Sequence, residues 1–126
     1  MITKNIYYRS QNEFTQFIED NSFQSEPNLL IQIFSSLLEK ELLEYILDDI
    51  QQVVPQAKII GATTDGEILE NIVSTDKVVV SVTSFQRATL SVAMETMESK
   101  NGHPDSFLCG ERLAQKLVKP DTKAIF

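Results

Sequence analysis

Residues 61–67 read Gly-Ala-Thr-Thr-Asp-Gly-Glu and hold the densest group of side chains in the chain suited to binding a small molecule. The flanking Gly61 and Gly66 let a backbone come close to a ligand. Thr63 and Thr64 carry hydroxyls that donate and accept hydrogen bonds, and ionised Asp65 and Glu67 attract an ammonium group. Together these are the complements of an amino acid, whose carboxylate suits the hydroxyls and free N–H groups and whose ammonium suits the acids. A purely architectural role fits the same residues: Gly66 in a tight turn with positive φ, the threonines satisfying local backbone groups and the acids solvated.

The remaining reactive residue types are less well placed. His103, the sole histidine, sits in Gly-His-Pro with no second ligand at useful spacing, so a solvated loop histidine is expected rather than a haem or metal ligand. Cys109, the sole cysteine, reads as a small packed side chain on a helix. Glu39, Glu41, Glu44, Asp48 and Asp49 give one helix an acidic outer surface, which exposed carboxylates ordinarily just solvate. Gly61 to Gly66 has no lysine of the kind a nucleotide phosphate loop uses. No nucleophile, acid and base set is legible, and neither a metal nor another cofactor is implied.

The elements that must position the 61–67 loop follow from periodicity. Ile2 to Tyr8 predicts a strand, and Ser10 to Glu13 a capping box that opens a helix ending near Asn21. Leu29 to Phe34 is apolar on both parities except at Gln32, the pattern of a central strand covered on both faces. Ser36 to Glu39 offers a second capping box, and the stripe Leu42, Leu43, Ile46, Leu47, Ile50, Val53, Val54 predicts a helix that Pro55 stops. Ala57 to Ala62 is then a short strand whose carboxyl end runs into the loop, where open α/β sheets place ligands. Val78 to Thr83 and Leu90 to Met94 alternate as a hairpin about Gln86-Arg87. After an Asn101 to Pro104 loop, Asp105 caps a helix expected to bury Phe107, Leu113, Ala114, Leu117 and Val118, with Pro120 ending it. Lys123 to Phe126 begins a further strand, expected at an exposed sheet edge where two copies pair. The fold class is α/β: a mixed β-sheet flanked by helices, in the order strand, helix, strand, helix, strand, hairpin, helix, strand, incomplete at its C-terminal end.

Composition narrows the class of partner. The 126 residues, 42% hydrophobic, suit one core, and four glycines with four prolines are too few for low-complexity sequence. Eleven basic against eighteen acidic residues leave a net charge of −7, which repels nucleic acid and anionic membrane surfaces. The most apolar stretch, Leu29 to Leu38, falls well short of the roughly 20 residues a membrane span needs. The N-terminus has no apolar block of signal-peptide length, and one cysteine cannot form an internal disulfide; a reducing cytoplasm is expected.

The stretch from Ile59 to Ile68 resembles the signature of the FIST domain, a sensory input module of intracellular signal-transduction proteins. That signature runs from an apolar strand into Gly, Cys, Ser, Thr, Ala, Gly, Glu and Ile. Gly61, Thr64, Gly66, Glu67 and Ile68 stand in its places, Thr63 replaces Ser conservatively, and Ala62 and Asp65 depart from Cys and Ala. The resemblance covers about Leu29 to the end of the chain, with residues 2–28 a less characteristic lead-in. It implies a sensor for a small ligand, amino acids being the leading proposal and haem a feature of some members, joined to an output signalling domain in the parent protein. The family module is longer, so residues 1–126 are expected to be the N-terminal portion of one sensory domain. Ligand-binding residues are then expected at Gly61, Thr63, Thr64, Asp65, Gly66 and Glu67. Two other classes stay open: a small-molecule enzyme on an α/β frame, and a dimerisation or scaffold element.

Overall fold

The computed structural model describes residues 1–100 and 102–125, which divide into two compact units, one from Met1 to Leu90 and one from Ser91 onward. In the first unit, β1 (Ile2–Tyr7) leads to α1 (Gln11–Asp20), where the Ser10 hydroxyl accepts the Glu13 N–H as the capping box predicts. Then come β2 (Leu29–Ser35), α2 (Lys40–Val53), β3 (Lys58–Thr63), the short pair β4 (Glu67–Leu69) and β5 (Ile72–Ser74), and β6 (Val78–Ser84). The main sheet runs β1-β6-β2-β3, with β2 parallel to β3 and antiparallel to β6, and β1 antiparallel to β6. The architecture is α/β with a mixed sheet, as the element pattern predicts.

Register explains the core. Opposite residues share a face, and Ile31 against Val82 and Ile33 against Val80 aim one apolar row at the helices. Phe14 and Ile18 of α1 and Ile46 and Ile50 of α2 meet that row, each side chain essentially fully buried. Strand β2 is central, as expected, yet its other parity, Leu30, Gln32 and Phe34, is only half-buried. One polar pair joins β1's end to α2: the Tyr8 hydroxyl donates to the buried Asp49 carboxylate. Burial, and behind it the hydrogen bond and charge of Asp49, raise the Tyr8 pKa well above its ordinary value of 10.0.

Three of the expected elements are corrected. The expected hairpin partner Leu90 to Met94 forms no strand, because β6 lies between β1 and β2 and both its edges are already paired. A hairpin forms earlier in the chain instead, β4–β5, turning through Glu70 and Asn71 with φ of 52° and 65°, the left-handed pair of a type I′ turn. Helix α2 starts at Lys40, not at Ser36: the Ser35 hydroxyl accepts the Leu37 N–H and donates to the Leu37 carbonyl, holding a turn where the capping box was expected. Lys123 to Ile125 lie in no strand, since Thr122 folds the chain back on α3 by accepting from the Lys119 N–H and donating to the Leu117 carbonyl; Phe126 is outside the described residues. With that strand goes the edge on which copies were expected to pair.

The second unit holds β7 (Ser99–Lys100), β8 (His103–Pro104) and α3 (Ser106–Leu117). Asp105 caps α3 by accepting the Leu108 N–H at 2.9 Å, as predicted. The expected burial of Phe107, Leu113, Ala114, Leu117 and Val118 does not occur: no residue of α3 is buried, and Phe107 is 84% exposed. The half-buried stripe runs instead through Leu108, Cys109, Leu113 and Leu117, and Phe107 lies one position off it. Exposed ion pairs, Arg112 with Glu98 at 2.5 Å and Lys116 with Glu95 at 2.7 Å, tie α3 to the segment before β7.

Candidate functional site

The parallel pair β2 and β3 ends its two strands side by side, and the chain leaves both ends in polar loops. From β2 the exit is Ser35-Ser36; from β3 it is Thr63-Thr64-Asp65. The Thr64 N–H donates to the Ser35 carbonyl at 2.9 Å, extending the ladder one residue past β3. The two loops are joined by Glu67, the first residue of β4. Its carboxylate accepts from the Thr64 hydroxyl at 2.5 Å and from the Ser36 hydroxyl at 3.0 Å, and it is only 4% exposed. A buried carboxylate with a hydroxyl on each oxygen fixes both exits relative to each other.

Of the residues expected to bind ligand, Thr64 and Glu67 therefore bond to each other inside the loop. Gly61, Thr63 and Asp65 are exposed. Gly66 does not have the positive φ expected of it; among the described glycines that conformation belongs to Gly102. Its glycine identity has another cause, because a Cβ there would stand 3.1 Å from the Ser74 carbonyl oxygen and 3.4 Å from Thr75 Cγ2. The turn model gives way to a close approach between the start of β4 and the end of β5. Ser36 belongs to the site too, although its sequence context predicts a helix cap: its hydroxyl bonds Glu67 instead. The signal the sequence carries is its place directly after the apolar strand that ends at Ser35.

Strand β3 is an edge strand. Because the Thr64 N–H points at β2, alternation along the ladder turns the N–H and C=O groups of Ala62 and Ile60 the same way and those of Ile59, Gly61 and Thr63 outward. No described residue pairs with them. Beside this edge a cavity of about 340 Å³ lies between β3 and α2, lined by Ile33, Ser35, Leu43, Leu47 and the run Ile59 to Thr63. The missing side chain of Gly61 follows from packing as well: a Cβ would meet the Ile33 carbonyl oxygen at 2.9 Å. His103 is exposed in β8, and among the described residues no group of three or more His, Cys, Asp or Glu is arranged to hold a metal.

The family model of the FIST N domain matches residues 29–126, more than three quarters of the chain. The chain belongs to the FIST N family. FIST domains are sensory, ligand-binding modules of signalling proteins, and the match begins at Leu29, the first residue of β2, so it takes in both strand exits, α2 and Glu67. No curated protein and no solved structure matches the chain. Among the described residues, no helix of this FIST N chain is long and apolar enough to cross a membrane.

Proposed function

We propose that residues 1–126 are the N-terminal portion of a single FIST sensory domain and serve as a ligand-binding input module of a cytoplasmic signalling protein, acting on an output domain in the parent chain. In this reading the module is not an enzyme, and its ligand is an amino acid bound at the carboxyl end of β3. The observation that supports this best is the coincidence, at one strand end, of free backbone donors at Gly61 and Thr63, the exposed Thr63 hydroxyl and a cavity. Ligands of open α/β sheets bind at such places.

The six residues of the loop divide by role. Gly61 and Thr63 present N–H groups, and Thr63 a hydroxyl, to the ligand carboxylate; Asp65, exposed and acidic, faces its ammonium. Thr64, Gly66 and Glu67 hold the loop in shape, with Ser36 as the partner from β2. Calorimetric titration of the protein against an amino-acid panel tests this, repeated with Thr63→Val. Loss of one charge-assisted hydrogen bond is expected to cost roughly 1.5 to 3 kcal/mol, about ten- to a hundredfold in affinity. A bound amino acid whose affinity Thr63→Val leaves unchanged places the site elsewhere.

A further inference from the structure

Resting on that reading of the β3 site, we infer the class of ligand: an α-amino acid with an aliphatic or aromatic side chain, seated between α2 and the edge of β3. The apolar wall is built from Leu43 and Leu47 of α2 with Ile33 and Ile59 from the same face of the sheet, and no charged side chain lines it. Of its two hydroxyls, Ser35's is already engaged with both backbone groups of Leu37, which leaves Thr63's at the exposed end. A carboxylate or ammonium on the ligand's side chain would meet no oppositely charged group in this space and would give up part of its hydration without return. An apolar side chain would instead bury its surface against Leu43 and Leu47.

Size and polarity agree with this choice. About 340 Å³ is near the small end of the 300 to 1,000 Å³ typical of ligand sites, room for a single amino acid rather than for a large cofactor. The polar groups stand at one border, on the outward backbone of Gly61 and Thr63, and the apolar wall stands across from them on α2. A molecule with a polar head and an apolar tail matches that division. Leu47 is 40% exposed while lining the cavity, as a wall residue awaiting cover would be.

Amide chemical-shift titration of the protein with leucine, phenylalanine, aspartate, lysine and a short apolar peptide is the test. Leucine and phenylalanine are expected to move the amides of Gly61, Thr63, Leu43 and Leu47 and to bind about tenfold or more tightly than aspartate or lysine. Leu47→Asp should weaken leucine binding by a similar factor. Leu43→Phe, which fills the space without adding charge, should do the same with the circular dichroism of the fold unchanged. If aspartate or lysine binds as well as leucine while moving Gly61 and Thr63, the site stands and the ligand class is wrong. If leucine binds without moving those amides, or no amino acid binds, the site reading falls as well. Binding by the peptide alone would mean that β3 accepts a strand at its edge, which also overturns the proposal.

Discussion

Helices α1 and α3 open alike and end up in different environments. Ser10 accepts the Glu13 N–H and Asp105 accepts the Leu108 N–H, each a side-chain cap three residues ahead, and both helices are amphipathic. Yet α1 buries Phe14 and Ile18 completely, and α3 buries nothing. The difference lies in what each unit sets opposite its helix. In the first unit four strands offer a continuous apolar face; in the second, β7 and β8 are two residues each, and an isolated two-stranded hairpin is marginally stable at best. Caps and period make a helix, whereas burial needs a surface to pack on.

Removing a large side chain from each helix gives the widest expected contrast. Phe14→Ala should cost about 3 to 5 kcal/mol, because the emptied space lies among Tyr8, Phe17 and the sheet. Phe107→Ala, at a position 84% exposed, should stay within about 0.5 kcal/mol. Urea unfolding followed by circular dichroism measures both. Equal losses would mean that α3 is packed as tightly as α1, and the contrast drawn here would fail.

A polar version of the same contrast sits at Tyr8. Tyr8→Phe leaves the buried Asp49 carboxylate without its donor and should cost about 1 to 3 kcal/mol, whereas the exposed Arg112 to Glu98 pair of the second unit contributes little. The native pKa of Tyr8 is raised, so its hydrogen bond contributes fully below the unfolded value of 10.0. Above that pH the unfolded chain ionises at Tyr8 while the native chain still holds the proton. The stability gap between the native protein and Tyr8→Phe should therefore narrow as pH rises past 10.0. A gap constant from neutral pH to well above that value would show that the Tyr8 hydroxyl keeps its ordinary proton affinity.

Which parts were legible in sequence follows from how local their causes are. Strands β1, β2, β3 and β6 and helices α1 and α3 announce themselves by periodicity and by caps contained within a few residues. The partner of β6 does not, because the choice between Leu90 to Met94 and two distant strands depends on which edges are free. Hairpin β4–β5 carried one cue, Asn71 at a turn position, but Glu70 beside it is an unusual left-handed residue. At the candidate site, the loop's position after β3 was visible, and so were its glycines and hydroxyls. The bond from Ser36 to Glu67 spans 31 residues and exists only because β2 and β3 end together. For the same reason the cavity was not readable: it needs α2 laid across the edge of β3.

The smallest expected effect is the most discriminating, because it alters the one feature the two helices share. Ser10→Ala and Asp105→Ala each delete a side-chain cap, worth about 1 kcal/mol to its helix. Since α1 contributes Phe14 and Ile18 to the main core, it cannot open without breaking that core, and the loss of its cap should appear in full as lowered global stability. Helix α3, with no buried residue, can open by itself. Its lost cap should then appear as roughly fivefold faster amide exchange within residues 106–117, with the urea midpoint of the first unit unchanged. Amide exchange and urea unfolding on both variants separate the cases. If Asp105→Ala lowers the global midpoint as much as Ser10→Ala does, the two units unfold as one, and the exposed surface of α3 does not mark an independent element.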